Sequence, residues 1–245
     1  MNLLVWGKTG RMSRMLMNMA KEDPFWHRVQ GISSHEDEES WSIKPDVVVD
    51  FSHPSALDRL LDFCVKRKCP LVIGTTGYSE EQTARIKEAS ETIPLVHSAN
   101  MSLGMNLLFS LVRDAAVILK DSVDIEVVEY HHNRKKDAPS GSAISIVEAI
   151  EAGLGEKREK VYGRVGESLR QKGEIGIHSI RGGNMIGRHE AWFIHELESI
   201  TLVHEANDRS VFAKGSLEAA KFASKSAPGL YDMTDVLGLD QKCRV

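Results

Sequence analysis

The sequence predicts an α/β protein with a doubly wound parallel sheet in its N-terminal part and a second, α+β domain built on a mixed or antiparallel sheet. Two observations carry this prediction. Over the first hundred residues, short runs that are apolar on both faces alternate with helical patterns, which is typical of parallel strands buried between helix layers. Beyond residue 100 the strand-like segments alternate apolar and polar side chains, as strands of a sheet with one buried face do.

The elements of the first sheet can be assigned in order. The predicted strands are residues 3–6, 29–33, 47–51, 71–73 and 94–97. Helical patterns cover residues 11–20 and 55–64, and Ser79 with Gln82 three residues later forms a capping box that begins a further helix. Because right-handed crossovers connect parallel strands, these units predict a doubly wound, Rossmann-like sheet.

The second half of the chain has a different pattern. Helices are predicted over residues 105–119, 142–152 and 217–227, and strands over residues 123–129, 175–180, 190–194 and 199–204. The helix at 217–227 ends at Pro228 and Gly229 and is assigned to the first domain. We therefore expect one domain of residues 1–102 plus 209–245, and a second of residues 103–208.

Composition restricts the class of protein. The 245 residues are 42% hydrophobic and 27% charged, which is typical of a globular protein. With 31 Lys and Arg against 35 Asp and Glu, the net charge of −4 gives no general attraction to nucleic acid or anionic membrane. Cys64, Cys69 and Cys243 form no C-x-x-C pair, and no segment has the pattern of a signal peptide or a membrane span. We expect a soluble, cytoplasmic protein.

A glycine-containing loop follows the first predicted strand. It reads Gly7, Lys8, Thr9, Gly10, Arg11 and Met12. Glycine lets a backbone approach a pyrophosphate closely, and the free N–H groups at a helix start attract the anion. The spacing is G-x-x-G, with Ser13 where a later glycine could stand, so an ordinary turn with solvated charges is the alternative.

The end of the second strand bears on the choice of cofactor. A carboxylate placed there accepts from the ribose 2′-hydroxyl of NADH and repels the 2′-phosphate of NADPH. Here Ser34 and His35 stand at the expected place and Glu36 comes after them. This arrangement slightly favours NADPH or the use of both cofactors; the alternative is a simple polar loop.

Further polar or small residues follow the third, fourth and fifth predicted strands. They are Phe51, Gly74, Thr75, Thr76, Ser98, Ala99, Asn100 and Met101. Ligands of open α/β sheets bind at the carboxyl ends of the strands, so the convergence of these residues on one edge predicts a cofactor crevice.

A segment in the second domain combines proton-transfer groups with a site for anions. His131 and His132 precede three consecutive cations, residues 134–136, and residues 139–142 open a helix. Histidine exchanges protons near neutral pH, and the exposed amides of a helix start bind carboxylate or phosphate. A solvated basic loop is the alternative. A metal site is not expected, because neighbouring side chains on an extended segment point apart.

The segment from His131 to Ala143 resembles the signature of the dihydrodipicolinate reductases of bacterial lysine biosynthesis. The likeness extends along nearly the whole chain. It includes Gly7-x-x-Gly10-Arg11-Met12, Asp50-Phe51-Ser52, Gly74-Thr75-Thr76-Gly77, residues 100–104, Ser179-x-Arg181-x-Gly183, Gly187-x-His189-Glu190 and Arg209-x-x-Phe212-Ala213-x-Gly215. Ser13, Met101 and Ser142 depart from the common pattern without removing a reactive group.

The resemblance implies a function and assigns roles to residues. It implies NAD(P)H-dependent reduction of 4-hydroxy-tetrahydrodipicolinate to tetrahydrodipicolinate, without a metal, by a homotetramer whose second domain binds the small dicarboxylate substrate. His131 would be the proton donor and Lys135 its partner. The implied substrate contacts are His132, Ser140, Gly141 and Ser142. The implied cofactor contacts are the glycine loop, the strand ends named above and Arg209.

Two other functions are compatible with the motifs. The first is a different two-domain NAD(P)-dependent reductase, acting on another imine or keto acid. The second is a cofactor-sensing protein on the same scaffold, without turnover; such a sensor has no need for His131 close to Lys135.

Overall fold

A computed structural model describes residues 1–33, 36 and 42–239. Ser34, His35 and Cys243, which the sequence analysis named, lie outside the described residues. The chain divides into two compact units: Met1–Leu103 with Arg209–Val245, and Gly104–Asp208.

In chain order the strands and helices are β1 (Asn2–Trp6), α1 (Arg11–Glu22), β2 (Arg28–Ile32), β3 (Val47–Asp50), α2 (Leu57–Arg67), β4 (Leu71–Ile73), α3 (Glu80–Ser90), β5 (Pro94–His97), α4 (Leu103–Leu119), β6 (Asp124–His131), α5 (Gly141–Leu154), β7 (Lys160–Tyr162), β8 (Ile175–Arg181), β9 (Gly187–Ile194), β10 (Ser199–Ala206), α6 (Ser210–Ala223), β11 (Gly229–Tyr231) and α7 (Met233–Leu237).

The first unit contains a parallel sheet between two apolar layers. Within the described residues the sheet has six strands in the order β11-β5-β4-β3-β1-β2. Leu3 and Val5 pack on one side of it, in the same apolar cluster as residues of α1 and α6. Leu4 and Trp6 pack on the other side with residues of α2 and α3. Strand β1 is therefore buried on both faces, and the parallel sheet with apolar clusters on its two sides confirms the predicted doubly wound sheet.

The second unit contains a mixed sheet, as predicted. Its strands run in the order β10-β9-β6-β8-β7 in the described part of the chain. Strand β6 is parallel to β8 and antiparallel to β9. Ile125 and Val127 of β6 pack with residues of α4 and α5, while the opposite face of the sheet leaves Ile180 and Val203 partly exposed.

The boundaries of several elements differ from the prediction. The last long helix begins at Ser210 rather than 217 and ends at Ala223, so it precedes Pro228 by several residues. The segment Gly229–Tyr231 then forms β11, which pairs in parallel with β5. Three residues carry no periodicity of their own, so this strand depends on the neighbouring strand and not on a local pattern.

Candidate cofactor cleft and candidate active site

The glycine loop turns sharply between β1 and α1 in the first unit. Gly7 has a φ of +87°, and the N–H groups of Gly7 and Lys8 both donate to the carbonyl oxygen of Ile32 at 2.9 Å. Gly10 is the N-cap of α1, and no side chain of the described residues caps this helix start. The first-turn amides of α1 are therefore available to an anion, which is the geometry that a phosphate site requires.

An open cleft of about 520 Å³ lies next to this loop, within the range of small-molecule sites. Of the predicted cofactor residues, Gly7, Thr9, Gly10 and Phe51 line it. The other lining residues were not predicted as cofactor contacts; they are Ser33, Ser52, His53, Ser55, Ala56 and Arg59. Most of these follow β2 and β3, so they lie at the carboxyl edge of the sheet, where ligands of such sheets bind.

Gly7 cannot carry a side chain without displacing its neighbours. A β-carbon at this position would lie 2.8 Å from Cβ and 3.0 Å from Cα of Ser52. We expect Gly7→Ala to weaken binding of NADH and NADPH strongly and to lower the free energy of unfolding by about 2–4 kcal/mol, because the positive φ and the backbone clash both oppose alanine. Fluorescence titration and thermal unfolding measure the two effects.

Gly77 offers a matched control for this substitution. Its φ of +86° is nearly that of Gly7, but a β-carbon there would meet no atom of the described part of the chain within 4 Å. We expect Gly77→Ala to lower the free energy of unfolding by only about 1–2 kcal/mol, the cost of a positive φ for alanine. Equal losses of stability and of cofactor affinity in the two variants would contradict the importance of the close approach at Gly7.

Charged groups beside the cleft are already paired with one another. The Lys8 ammonium forms an ion pair with the carboxylate of Glu36, and Arg59 Nη2 donates to the Glu36 carbonyl oxygen at 2.6 Å. The hydrogen bond from Lys8 lowers the pKa of Glu36. Lys8 is thus engaged by a carboxylate, whereas Arg11 is exposed in the first turn of α1.

A buried carboxylate joins two of the strand ends. Asp50 is fully buried and accepts hydrogen bonds from Ser52 Oγ at 2.5 Å and from Thr75 Oγ1 at 2.6 Å. Burial raises the pKa of Asp50. The side chain of Thr75, predicted to contact the cofactor, therefore points to Asp50. The adjacent Gly74 packs against the ring of Phe51.

The remaining predicted cofactor residues of this unit occupy varied environments. Ser98 Oγ donates to the Asn100 carbonyl oxygen at 3.0 Å, beyond the end of β5. Met101 is 2% exposed, so its side chain belongs to the apolar core. Thr76 and Ala99 are exposed, Met12 packs on the core, and Arg209 is the N-cap of α6.

In the second unit, the predicted proton donor is paired with a carboxylate. His131 ends β6, and its Nδ1 lies 2.5 Å from Oε2 of Glu129, two residues earlier on the same face of the strand. Arg181 of β8 donates to both oxygens of this carboxylate, at 2.9 and 2.7 Å. Glu129 is fully buried, and it ties the imidazole to a guanidinium.

Glu129 is ionised in this environment. Burial acts to raise its pKa, but the hydrogen bonds from His131, Arg181 and Ser179 outweigh burial and lower the pKa to about 2. At neutral pH the carboxylate is therefore an acceptor only, and the proton shared with His131 belongs to the imidazole.

The predicted anion site adjoins the same carboxylate. Ser140 is the N-cap of α5: its Oγ accepts from the Ala143 N–H at 3.2 Å, and its own N–H donates to Glu129 Oε1 at 3.2 Å. Gly141 and Ser142 form the first turn of this helix. The structure thus brings His131 and the helix start together through Glu129.

A third histidine packs beside these groups. His189 Nε2 lies 3.1 Å from Ser140 Oγ, and its ring meets that of His131 edge to face at 5.1 Å between centroids. Burial, reinforced by the nearby His131, lowers the pKa of His189 to about 3. His189 is therefore neutral at physiological pH and adds no positive charge to the cluster.

Lys135 lies on the loop between β6 and α5. Its ammonium is 2.8 Å from Asp137 Oδ2, and the carbonyl oxygen of Asp137 accepts from Arg181 at 2.6 Å. The N–H of His132 donates to the carbonyl oxygen of Met185 at 2.9 Å, which anchors the loop at its start. The loop is thus attached to the same guanidinium that holds Glu129.

No role was predicted from the sequence for Glu129, Arg181 or His189. One signal could have found Glu129. Along β6, the apolar face is occupied by Ile125 and Val127, and the next position on that face is Glu129. A carboxylate on a buried face needs a partner, and His131 is the next residue along it. Arg181 and His189 come from other strands, so only the sheet pairing could place them.

The described residues contain neither a candidate metal-binding cluster nor a membrane-spanning helix. No group of three or more His, Cys, Asp or Glu side chains there has an arrangement that could hold a metal ion. Among the same residues, no helix combines the length and apolar character needed to cross a membrane.

Comparisons with known proteins match both units. Residues 1–101 match the family model described as dihydrodipicolinate reductase, N-terminus, and residues 104–237 match the model for its C-terminus. Among curated relatives, the 4-hydroxy-tetrahydrodipicolinate reductase of Alkaliphilus oremlandii is 58% identical, covering 98% of this chain and 99% of the relative. That of Alkaliphilus metalliredigens is 53% identical, covering 98% of this chain and 100% of the relative.

A solved structure supports the fold. It is the dipicolinate-bound dihydrodipicolinate reductase of Paenisporosarcina sp. TG-14, with a TM-score of 0.78 at 22% identity over 96% of this chain and 98% of that one. A likeness at this identity concerns the fold, whereas the family follows from the two family models and the relatives above 50% identity. This chain belongs to the dihydrodipicolinate reductase family.

Proposed function

We propose that this protein is a 4-hydroxy-tetrahydrodipicolinate reductase of the diaminopimelate and lysine pathway. The balanced reaction consumes the substrate, NADH or NADPH and a proton, and it yields tetrahydrodipicolinate, the oxidised nucleotide and water. The observation that carries the proposal is the arrangement in the second unit, where the buried Glu129 carboxylate contacts both the imidazole of His131 and the start of α5.

The first unit supplies residues that fit a nicotinamide cofactor. The cleft beside Gly7 and Gly10 is large enough for part of a dinucleotide, and the uncapped start of α1 is suited to the pyrophosphate. Strand-end residues from Gly74 to Thr76 and from Ser98 to Met101, together with Arg209, complete the proposed contacts. When bound, the reduced nicotinamide supplies the hydride for this chemistry.

The second unit supplies residues that fit a dicarboxylate. The N–H groups of Gly141 and Ser142, at the start of α5, are the proposed donors to one carboxylate of the substrate, and Ser140 holds that helix start in place. Lys135 supplies positive charge on the adjoining loop, and His132 adds a polar contact. Binding through fixed donors orients the ring and stabilises the charge that develops during reduction.

Proton delivery is assigned to His131, with Lys135 as the second candidate. Loss of the 4-hydroxyl group of the substrate as water gives the conjugated ring. Addition of a hydride to this ring then moves electron density toward the ring nitrogen or the adjacent carbon, and the proton neutralises it. His131 suits this role because its Nδ1 is engaged by Glu129, which leaves Nε2 to exchange the proton.

Steady-state kinetics test the proposal. We expect 4-hydroxy-tetrahydrodipicolinate to cause loss of the absorbance of NADH or NADPH, with a modest preference for NADPH or use of both. Glyoxylate, pyruvate and a cyclic imine without the second carboxylate are the comparison substrates. Faster turnover of one of these would favour another imine or keto-acid reductase, and cofactor binding without turnover of any of them would favour a sensor.

Assembly and location complete the proposal. We expect a homotetramer in the cytoplasm that binds neither nucleic acid nor membrane. Light scattering of the purified protein tests the tetramer directly, and a mass equal to one or two chains would contradict it.

A further inference from the structure

The described side chains include one carboxylate that touches both halves of the proposed active site. Glu129 accepts from His131 at one oxygen and from the Ser140 N–H at the other, and Arg181 bridges the two oxygens. A fully buried carboxylate is costly unless each oxygen is satisfied, and here both are. Such an arrangement fixes the imidazole far more rigidly than solvent contact would.

We infer that Glu129 is the positioning residue of the reduction: it holds the His131 ring with Nδ1–H directed at its own carboxylate, so that Nε2 is the atom that exchanges the proton. This inference rests on the proposed function, since it assumes that His131 is the proton donor. Arg181 also holds the Glu129 carboxylate in place, because it donates to both of its oxygens.

The surroundings of Nε2 support this assignment. The backbone of Gly187 lies beside it, and a β-carbon at position 187 would approach Nε2 to 3.0 Å. Glycine at this place keeps that side of the ring free of a side chain. Nδ1, by contrast, is occupied by Glu129, so the two nitrogens have different environments and a defined tautomer follows.

The charged and titratable groups around His131 come from several elements. Strand β6 provides Glu129, β8 provides Arg181, β9 provides His189, and the loop before α5 provides Lys135 and Asp137. Glu129 is the only carboxylate among the described residues that contacts the imidazole directly. Removal of its charge therefore takes away the one carboxylate contact of the ring, and the pH dependence of kcat should change.

The first experiment is a double-mutant cycle between Glu129→Gln and His131→Gln, measured as kcat and KM across pH. We expect Glu129→Gln to lower kcat roughly 10- to 150-fold, the range for one hydrogen bond to a charged group, with a smaller change in KM. In the His131→Gln background the same change should have little further effect. Additive losses in the cycle would overturn the inference.

Glu126→Gln is the matched control. Glu126 lies on the same strand and is also paired with a histidine and with arginines, since His178 Nε2 lies 2.8 Å from its Oε2 and Arg164 and Arg170 contact its Oε1. It does not contact His131. We expect Glu126→Gln to leave the pH profile unchanged even if it lowers stability. Glu129→Asp, which keeps the charge, should recover part of the lost kcat.

A spectroscopic measurement keeps the inference testable if Glu129→Gln fails to fold. Nitrogen-15 NMR of histidine in the wild-type protein distinguishes protonated from unprotonated ring nitrogens. We expect neutral His131 to carry its proton on Nδ1, and the opposite tautomer would refute the role of Glu129. If instead His131→Gln alone keeps wild-type turnover, the proposed proton donor is wrong, and this result is distinct from a failure confined to Glu129.

Discussion

Replacement of His131 by glutamine should lower kcat by about 10²- to 10⁴-fold, the contribution of a well-placed general acid. Glutamine has a similar reach and can still donate to Glu129, but it cannot deliver a proton at neutral pH. Because the imidazole lies in the second unit and the cofactor cleft in the first, the dissociation constants of NADH and NADPH should stay nearly unchanged. Stopped-flow turnover and cofactor titration measure the two quantities.

His178→Gln is the control for this prediction. His178 is also half-buried and pairs with a glutamate of β6, since its Nε2 lies 2.8 Å from Glu126 Oε2. His178→Gln therefore removes a similar histidine–glutamate contact without changing His131. We expect wild-type kcat in this variant. Wild-type kcat in His131→Gln would remove His131 from the chemistry, and a comparable loss in both variants would point to a structural cause.

Local patterns were sufficient to predict much of the fold. The runs at Leu71–Ile73 and Pro94–His97 coincide with β4 and β5, and the capping box at Ser79 is present in the structure. These features depend on residues that are close together in the chain, so local sequence patterns predict them. Strand β11 depends on pairing with β5, about 135 residues earlier in the chain, and no local sequence pattern predicts it.

In the candidate site, too, some residues were predicted from local patterns, and others are brought in only by the pairing of distant strands. His131 and Ser140 were predicted from residue types that suit proton transfer and anion binding in a single segment. Their partners Arg181 and His189 come from β8 and β9, and the sheet register, not the sequence distance, puts them beside β6. Glu129 lies in the same segment, on the face of β6 that Ile125 and Val127 occupy, but no role was predicted for it because its partners from β8 and α5 are distant in the chain. Its buried carboxylate is satisfied by His131, Arg181 and the N–H of Ser140.

Replacement of Lys135 by alanine should lower kcat/KM by on the order of 10²-fold or more, through both a lower kcat and a higher KM, since truncation of one partner of a charged pair commonly costs 2–5 kcal/mol. In the free protein, its ammonium pairs with Asp137, an exposed carboxylate that a substrate carboxylate can replace with little loss.

The division of the effect between kcat and KM separates the two roles open to Lys135. A residue that only binds the dicarboxylate raises KM and leaves kcat unchanged, whereas a residue that also delivers the proton lowers kcat as His131→Gln does. Lys135→Arg keeps the charge and should restore binding more than turnover, and Lys136→Ala, which removes an exposed neighbouring cation, should change neither parameter. If Lys135→Ala and His131→Gln both kept wild-type rates with the dicarboxylate, the anion site and the proton donor would have to be sought outside the loop between β6 and α5.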